Sequence, residues 1–532
     1  MSLHTDRVRQ DEPSRFQGQI SSAKARTARE NRSLFLSGAL AALVMTVFMI
    51  AIRSFSQTES LAELIAEVVI QIMPIGLFSF FLQQLGSLAK PLLLGSVMAG
   101  MILAGGWIAL LDGGAARRYS VAKRIRRIST LVLFLWIPLV IVALLVTTVM
   151  PLFPLGSGEL VSLAVMLALN LSIYASALYL VHPILSGLTG EGRADSPPEN
   201  LGRRKLLGQA GTAALAVAGG LYLGSFLRST RSGSQGSSDG VLSTPITPNE
   251  DFYTVSKNFV DPRVDADGWE LEITGLVANP TRLNYRDLLA LPSTVEQMST
   301  LMCISNPVGG DLIGNAVWTG VRLSDLLEPA GVISGATTVA FFGDDGYSDS
   351  FSLEKALEPT TIVAYLMNGE PLPDDHGFPA RLIVPGKYGI KNGKWLTRLQ
   401  LTENYRGYWQ QRGWTNEARI KTMSRFDLPE TRSIVPFGPV ELGGVAFAGD
   451  RGIQRVEVST DDGGTWRDVD QLETVGPLSW SIWRMIFDPP ETGAYRLKVR
   501  ATDGTGEVQT SDRADPTPDG ASGYHTITIG VT

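Results

Sequence analysis

The chain has 532 residues, a net charge of −6 and a single cysteine, so it is too long for one domain, with about three to four expected from length, and holds no intrachain disulfide. The average hides two unlike halves, because residues 1–232 carry 21 Lys/Arg against 12 Asp/Glu and residues 233–532 carry 25 against 40. A basic first half threaded with apolar runs reads as a membrane protein, and an acidic second half excludes nucleic acid as a natural partner because it repels phosphate backbones.

The chain opens on a basic arm with Arg7, Arg9, Arg15, Lys24, Arg26, Arg29 and Arg32, which the positive-inside rule keeps in the cytoplasm. Segments long enough to cross a bilayer, which takes roughly 20 residues, follow at 34–52, 91–111, 128–153 and 161–181, with a milder Ala- and Gly-rich one at 206–227. The stretch 61–82 is also apolar but carries Glu63, Glu67, Gln71 and Pro74. A second basic cluster, Arg117, Arg118, Lys123, Arg124, Arg126 and Arg127, belongs in the cytoplasm too, and two cytoplasmic clusters need an even number of crossings between them. Five spans meet that condition if 61–82 is interfacial or re-entrant. Residues 1–228 are thus expected to form a helical membrane anchor, with everything after Arg228 outside.

Before the mild fifth span stands Gly202-Arg203-Arg204-Lys205. Paired arginines ahead of a weakly apolar segment resemble a twin-arginine export signal, here internal; an ordinary basic helix flank is the alternative. The chain has four histidines, His4, His182, His376 and His525, of which only His182 lies near a span. A haem held by two histidines is therefore not expected in this membrane domain.

Residues 229–246 begin as a Ser/Gly tether and form a flexible linker. Beyond it, alternating runs at 269–273, 338–342, 381–384 and 396–401 read as strands, and 285–291 and 323–328 as short helices, giving an α+β domain over 247–430. From about Ser433 the pattern changes to period-two runs at 455–459 and 495–500 around the turn Asp461-Asp462-Gly463-Gly464. That predicts a small β-sandwich over 431–532.

Two places carry chemistry. Cys303 ends an apolar run just before Val308-Gly309-Gly310-Asp311. Such a cysteine is commonly a buried small hydrophobe, but a thiolate where a strand opens into a loop is also placed to hold a soft metal. His376, Arg381 and Lys394 lie among Gly377, Gly386, Gly389 and Gly393. A guanidinium fork, an ammonium and accessible backbone N–H groups suit a phosphate-bearing ligand, whereas a solvated basic turn is the plainer reading.

The motifs LMCISN at 301–306, HGFPARLIVPG at 376–386 and YGIKNGKWL at 388–396 resemble the molybdopterin-binding domain of the sulfite oxidase family. Asp345-Gly346-Tyr347 and the stretch 364–372 fit the same pattern, and 444–452 with 456–459 and 463–466 resembles that family's C-terminal immunoglobulin-like dimerisation domain. The resemblance runs from about Thr247 to the C-terminus. It implies a cofactor of molybdenum and one pterin, with Cys303 as thiolate ligand of the metal. It further implies that His376, Arg381, Asn392, Gly393 and Lys394 hold the pterin and its phosphate. Tyr253, Thr254, Ser256, Lys257, Asn258 and Asp345 would add contacts, and Arg451 falls where the C-terminal domain supplies an arginine to the substrate pocket.

Two positions depart from the family. Lys257 stands where sulfite oxidases have arginine, and Trp414 where they have a tyrosine beside the metal. An ammonium lacks the guanidinium fork, and an indole donates but cannot titrate like a phenol. The resemblance therefore implies a membrane-anchored enzyme that moves an oxygen atom to or from a small oxyanion or S-oxide outside the cytoplasm, with sulfite itself in question. A separate cytochrome or quinone-linked electron partner and a homodimer are further expectations. The rival reading is a cofactor-free exported binding module with a vestigial pterin pocket.

Overall fold

In the computed structural model the described residues are 12–56, 60–74, 88–112, 167–178, 243–258 and 261–532, with isolated positions between 77 and 181. The chain divides into two compact units, Met1–Arg231 and Ser232–Thr532.

In the first unit, α1 (Glu12–Ser56) runs from a polar, basic start into the apolar window Thr27–Ile52, and α3 (Ala89–Asp112) is apolar over Ala89–Leu111. Both windows, of 26 and 23 residues, exceed the roughly 20 needed to cross hydrocarbon. The two helices meet through small residues. A Cβ on Gly38 would lie 2.3 Å from the Gly105 carbonyl oxygen, and Ala41, Ala42 and Ala109 continue the contact. Such close backbone approach suits helices that lipid does not push together. From α4 (Leu167–Leu178), the Tyr174 hydroxyl donates to Gly105 O at 2.6 Å.

Between α1 and α3 lies α2 (Leu61–Ile72), opened by a capping box in which Ser60 and Glu63 bond each other's backbone. It ends before Pro74, which supplies no N–H to continue the ladder. Its 12 residues reach about 18 Å at 1.5 Å each, short of the roughly 30 Å hydrocarbon core. Ala62, Glu63, Ala66 and Glu67 are buried while Leu64, Ile65, Val68 and Val69 are half-buried, the reverse of a water-facing amphipathic helix. The spans expected at 128–153 and 206–227, the basic clusters at 117–127 and 203–205, His4, His182 and the 229–240 tether lie outside the described residues, and 161–181 is described mainly over α4.

The second unit opens with two sheets. One runs in the order β2-β1-β10-β5-β6, built from β1 (Glu270–Gly275), β2 (Thr281–Asn284), β5 (Thr338–Gly343), β6 (Ser348–Ser352) and β10 (Leu396–Thr402). The other is β3-β4-β7-β8, from β3 (Thr294–Met302), β4 (Ile313–Arg322), β7 (Ile362–Met367) and β8 (Glu370–Pro371), with β9 (Arg381–Ile383) pairing β7. Alternation sets their faces: β1 buries Leu271 and Ile273 between exposed or half-buried neighbours. The helices are α5 (Tyr285–Leu289), α6 (Leu323–Ala330) and α7 (Leu353–Leu357). In α6, Leu323, Leu326, Leu327 and Ala330 form one buried stripe, and Gly331 ends the helix at φ 68°, where glycine alone avoids a Cβ penalty. With helices of only 5, 8 and 5 residues, the domain expected to be α+β is mostly β.

The last third forms two sheets, β11-β13-β17-β16 and β12-β19-β18-β14-β15. Their strands are β11 (Met423–Leu428), β12 (Ile434–Val435), β13 (Val440–Phe447), β14 (Ile453–Ser459), β15 (Arg467–Asp468), β16 (Gln471–Thr474), β17 (Ser481–Phe487), β18 (Gly493–Asp503) and β19 (His525–Val531). Leu442 and Trp483 of one sheet share a core with Val458, Val499 and Ile529 of the other, which is the sandwich that the period-two runs predicted.

The sandwich grips the turn after Cys303. Arg425 Nη1 donates to Gly310 O at 2.7 Å, and a Cβ on Gly309 would lie 2.3 Å from the His525 ring. His525 Nδ1 accepts from Phe426 N–H at 3.0 Å. Burial chiefly, then the Arg425 charge, lowers this imidazole to about 4. Since an unfolded histidine titrates near 6.5, the stabilisation is complete above that pH and is lost as pH falls toward 4. Between pH 7 and pH 5 the contribution should drop by about 1–2 kcal/mol. His525→Asn keeps an acceptor oxygen but cannot titrate, so its melting temperature should vary less over that range; parallel profiles for the two proteins would contradict this.

Candidate active site

A cleft of ≈ 850 Å³, counting space open at its mouth, is lined by residues from five separate stretches of chain. They are the 252–257 segment, the end of β3 with Cys303, the turn at Asp345, the His376–Lys394 region and the pair Trp409 and Trp414. β3 delivers Cys303 to a tight turn, in which Cys303 N–H donates to Leu312 O at 2.9 Å and Asn306 N–H to Cys303 O at 3.1 Å. Burial pushes the thiol above its ordinary range, against hydrogen bonds from Ser305. A thiolate here therefore requires a cation beside it, which a bound metal provides.

Arg381 begins β9 and is buried. Its Nη1 and Nη2 donate to His376 O and Asn392 O at 3.0 and 3.2 Å, and it lies 5.0 Å over the Trp318 ring. Its Nε is buried without a hydrogen-bond partner in the protein. His376 Nε2 lies 3.2 Å from Asn249 O. Burial first, then the charges of Arg381 and Lys394, lower this imidazole to about 3, so it is neutral at physiological pH, and with the proton on Nε2 the other nitrogen accepts. Lys394 Nζ donates to Ser256 Oγ and Asp375 O, both at 2.8 Å. Asn392 holds its loop in shape, accepting from Val384 N–H at 2.6 Å and donating to Lys387 O and Tyr388 O.

Lys257 donates to Asn258 Oδ1, and Asn258 Nδ2 to Asp345 O at 3.2 Å. Burial raises the Asp345 carboxyl, opposed mainly by the Lys257 charge. Gly389 keeps the wall open, since a Cβ there would come within 3.1 Å of the Tyr253 hydroxyl and 3.8 Å of Cys303 Cα.

Of the residues singled out from sequence, Tyr253, Thr254, Ser256, Lys257, Cys303, Asp345, His376, Arg381, Asn392, Gly393, Lys394 and Trp414 all line the cleft. Asn258 stands behind it through its bonds to Lys257 and Asp345. Arg451 does not line it. Its Nε donates to Asp503 Oδ2 at 2.7 Å and its Nη2 to Ile420 O and Thr422 Oγ1, both at 3.1 Å, while Nη1 is buried without a partner in the protein. The buried Asp503 carboxylate requires that countercharge, while the neighbouring Asp450 pairs with Lys355 at 2.9 Å rather than with Arg451. Sequence reasoning missed Trp409 and the role of Tyr347, whose hydroxyl lies 3.1 Å from the buried Asp349. Trp409 sits in none of the motifs, and Tyr347 stands beside Asp345 in one of them without a role of its own.

The donor set fits an anionic, phosphate-bearing organic ligand at one end and a soft metal at the other. The Lys394 ammonium and the orphaned Arg381 Nε–H suit an anion, and the Cys303 thiol is the soft ligand in the lining.

Residues 258–409 match the family described as an oxidoreductase molybdopterin binding domain. The sulfite oxidase of Arabidopsis thaliana is 31% identical over 331 residues, covering 51% of this chain and 83% of that protein. The NAD(P)H nitrate reductase of Hordeum vulgare is 30% identical, covering 48% of this chain and 36% of the reductase. Among solved structures, the sulfane dehydrogenase SoxCD of Paracoccus pantotrophus is 25% identical, covering 54% of this chain and 82% of that one at a TM-score of 0.49.

Proposed function

Because the chain belongs to the sulfite oxidase family of molybdopterin-dependent oxidoreductases, we propose that it is a membrane-anchored enzyme moving an oxygen atom between water and a small oxyanion or S-oxide outside the cytoplasm. The observation that carries this is the meeting of Cys303 with His376, Arg381 and Lys394 in one cleft. Cys303 would ligate molybdenum through its thiolate, and Arg381, Lys394, His376 and Ser256 would hold the pterin and its phosphate, with the orphaned Arg381 Nε as one donor. The bound group supplies two-electron oxygen-atom chemistry.

The chain's own residues bind, orient and move protons. Tyr253, Thr254 and Gly393 pack the cofactor, Asn258 and Asn392 fix its walls, and Lys257 and Trp414 face the substrate. Asp345, whose buried carboxyl takes a proton more readily than an exposed one, is suited to hold a proton exchanged with substrate water. Arg451, engaged by Asp503, supports the C-terminal domain's packing.

Residues 1–228 form the multi-pass anchor, 229–246 the linker, 247–430 the molybdopterin domain and 431–532 an immunoglobulin-like sandwich of the dimerisation type. The two apolar helices of spanning length support the anchor, and Arg203-Arg204 would direct export of the loaded domain. Electrons would pass to a separate cytochrome or quinone-linked partner. A reporter fused after Gly240 is expected to read as external and one after Gly114 as cytoplasmic. Purified enzyme should turn over sulfite with an artificial electron acceptor or an S-oxide with an artificial donor. A cytoplasmic signal at Gly240, or inertness toward both substrate classes in molybdenum-loaded protein, would contradict the proposal.

A further inference from the structure

The backbone that carries Cys303 is held from the C-terminal sandwich. Within the turn, Asn306 N–H donates to Cys303 O at 3.1 Å and Asn306 Oδ1 accepts from Leu312 N–H at 3.0 Å. Gly310 N–H donates to Pro307 O at 2.9 Å, and a Cβ on Gly310 would lie 2.4 Å from Asn306 Oδ1. These bonds make the turn one compact piece running from Cys303 to Leu312. Its carbonyl at Gly310 is then taken by Arg425 Nη1 of β11 at 2.7 Å.

Arg425 is buried and spends each arm of its guanidinium on a different segment. Its Nε donates to Asp427 Oδ1 at 2.8 Å and its Nη2 to Ser243 Oγ at 3.2 Å. Asp427 closes the ring, accepting from Ser243 N–H at 3.0 Å through its other oxygen. Three stretches far apart in sequence thus meet at one side chain: the Ser243 segment, the Cys303 turn and β11. A guanidinium can do this because its donors diverge in a rigid plane, whereas an ammonium is a single point. Arg425 does not line the cleft, so ligand contact does not account for it. A buried ion pair is commonly no more stabilising than apolar packing of the same volume. What this one adds is direction.

We infer that Arg425 is a positioning residue for the metal ligand: by holding Gly310 O it fixes the turn, and with it the direction from which the Cys303 sulfur is presented. The sandwich is then part of the metal site's geometry, acting through Arg425 on a cysteine it does not itself carry. The inference rests on the thiolate ligation by Cys303 proposed above. Outer groups that orient a ligand tune both the metal's electronic state and its retention, so a loosened clamp should change both.

The test compares full-length, molybdenum-loaded wild type, Arg425→Lys and Glu457→Gln. Molybdenum per chain is followed during dialysis, and the EPR spectrum of the metal is recorded during partial reduction by dithionite. Arg425→Lys keeps a cation beside Asp427 but cannot reach Asp427, Ser243 and Gly310 together. Glu457→Gln weakens a pair with Arg500 at 2.9 Å inside the sandwich and represents loss of stability alone. Arg425→Lys should show displaced g-values and lose molybdenum about tenfold faster. Glu457→Gln should melt at a lower temperature with the wild-type spectrum and retention. If Arg425→Lys does not fold, Ser243→Ala removes one outer acceptor only and should displace the spectrum to a smaller extent. A wild-type spectrum and retention in the folded Arg425 or Ser243 variant, or the same displacement in Glu457→Gln, would overturn the inference. Molybdenum held with wild-type g-values in Cys303→Ser would instead overturn the ligation reading beneath it.

Discussion

Cys303→Ser is expected to lower kcat by about three orders of magnitude or more, equivalent to roughly 4 kcal/mol of transition-state stabilisation. The side chain is 6% exposed and packs in the core of the β3–β4 region. A hydroxyl fits the same space, so folding should be little changed. What changes is donor chemistry. Serine's oxygen is hard and its proton far less acidic than a thiol's, whereas a soft metal selects a thiolate. The pterin should remain bound, because Arg381, Lys394 and His376 are untouched, and its fluorescence after extraction would show this. Full turnover by the serine variant would remove Cys303 from the site.

The second large effect is on stability. Lys391 Nζ lies 2.7 Å from Asp349 Oδ1, and the two side chains are 1% and 0% exposed. Lys391 also donates to Ser350 O at 2.8 Å, while Asp349 Oδ2 accepts from Gln410 Nε2 at 3.0 Å and lies 3.1 Å from the Tyr347 hydroxyl. Burial pushes the carboxyl up and the ammonium down, and each opposes that shift in the other. Lys391→Met leaves a buried carboxylate without its countercharge, which typically costs about 3–5 kcal/mol. In a unit of this size the melting temperature should fall by roughly 6–15 °C. Asp349→Asn added to Lys391→Met removes the stranded charge and should recover part of the loss. An unchanged melting temperature in Lys391→Met would show that the pair is not a closed network. Because it ties β6 to the 389–395 loop and to Gln410, the single variant should also bind the cofactor less well.

Much of this site was legible because its parts sit in short contiguous motifs. Cys303 stands between a strand and a glycine turn, and His376, Arg381 and Lys394 lie within 19 residues, so local chemistry and resemblance pointed the same way. The strands near 270, 338 and 396 were legible from alternation. The short helices expected at 285–291 and 323–328 were legible too, as α5 and α6, whereas α7, with 5 residues, has too few turns for a helical period to show. Partners distant in sequence were not legible at all. Asp349 and Lys391 stand 42 positions apart, and Asp503 engages Arg451 from 52 positions away. Resemblance placed Arg451 in the substrate pocket, and the packing shows what no sequence pattern could, that its Nε and Nη2 are held by Asp503, Ile420 and Thr422 while Nη1 has no partner in the protein. In α2, Glu63 and Glu67, the residues that set 61–82 apart from the cleaner apolar segments, are turned inward, a placement the sequence pattern does not reveal.

The most direct measurement is molybdenum and pterin per chain in protein purified from membranes. One molybdenum and one pterin per chain are expected in the wild type, with the metal lost and the pterin kept in Cys303→Ser. Folded wild-type protein containing neither, from cells that make the cofactor, would contradict the central claim and return the cleft to a binding module.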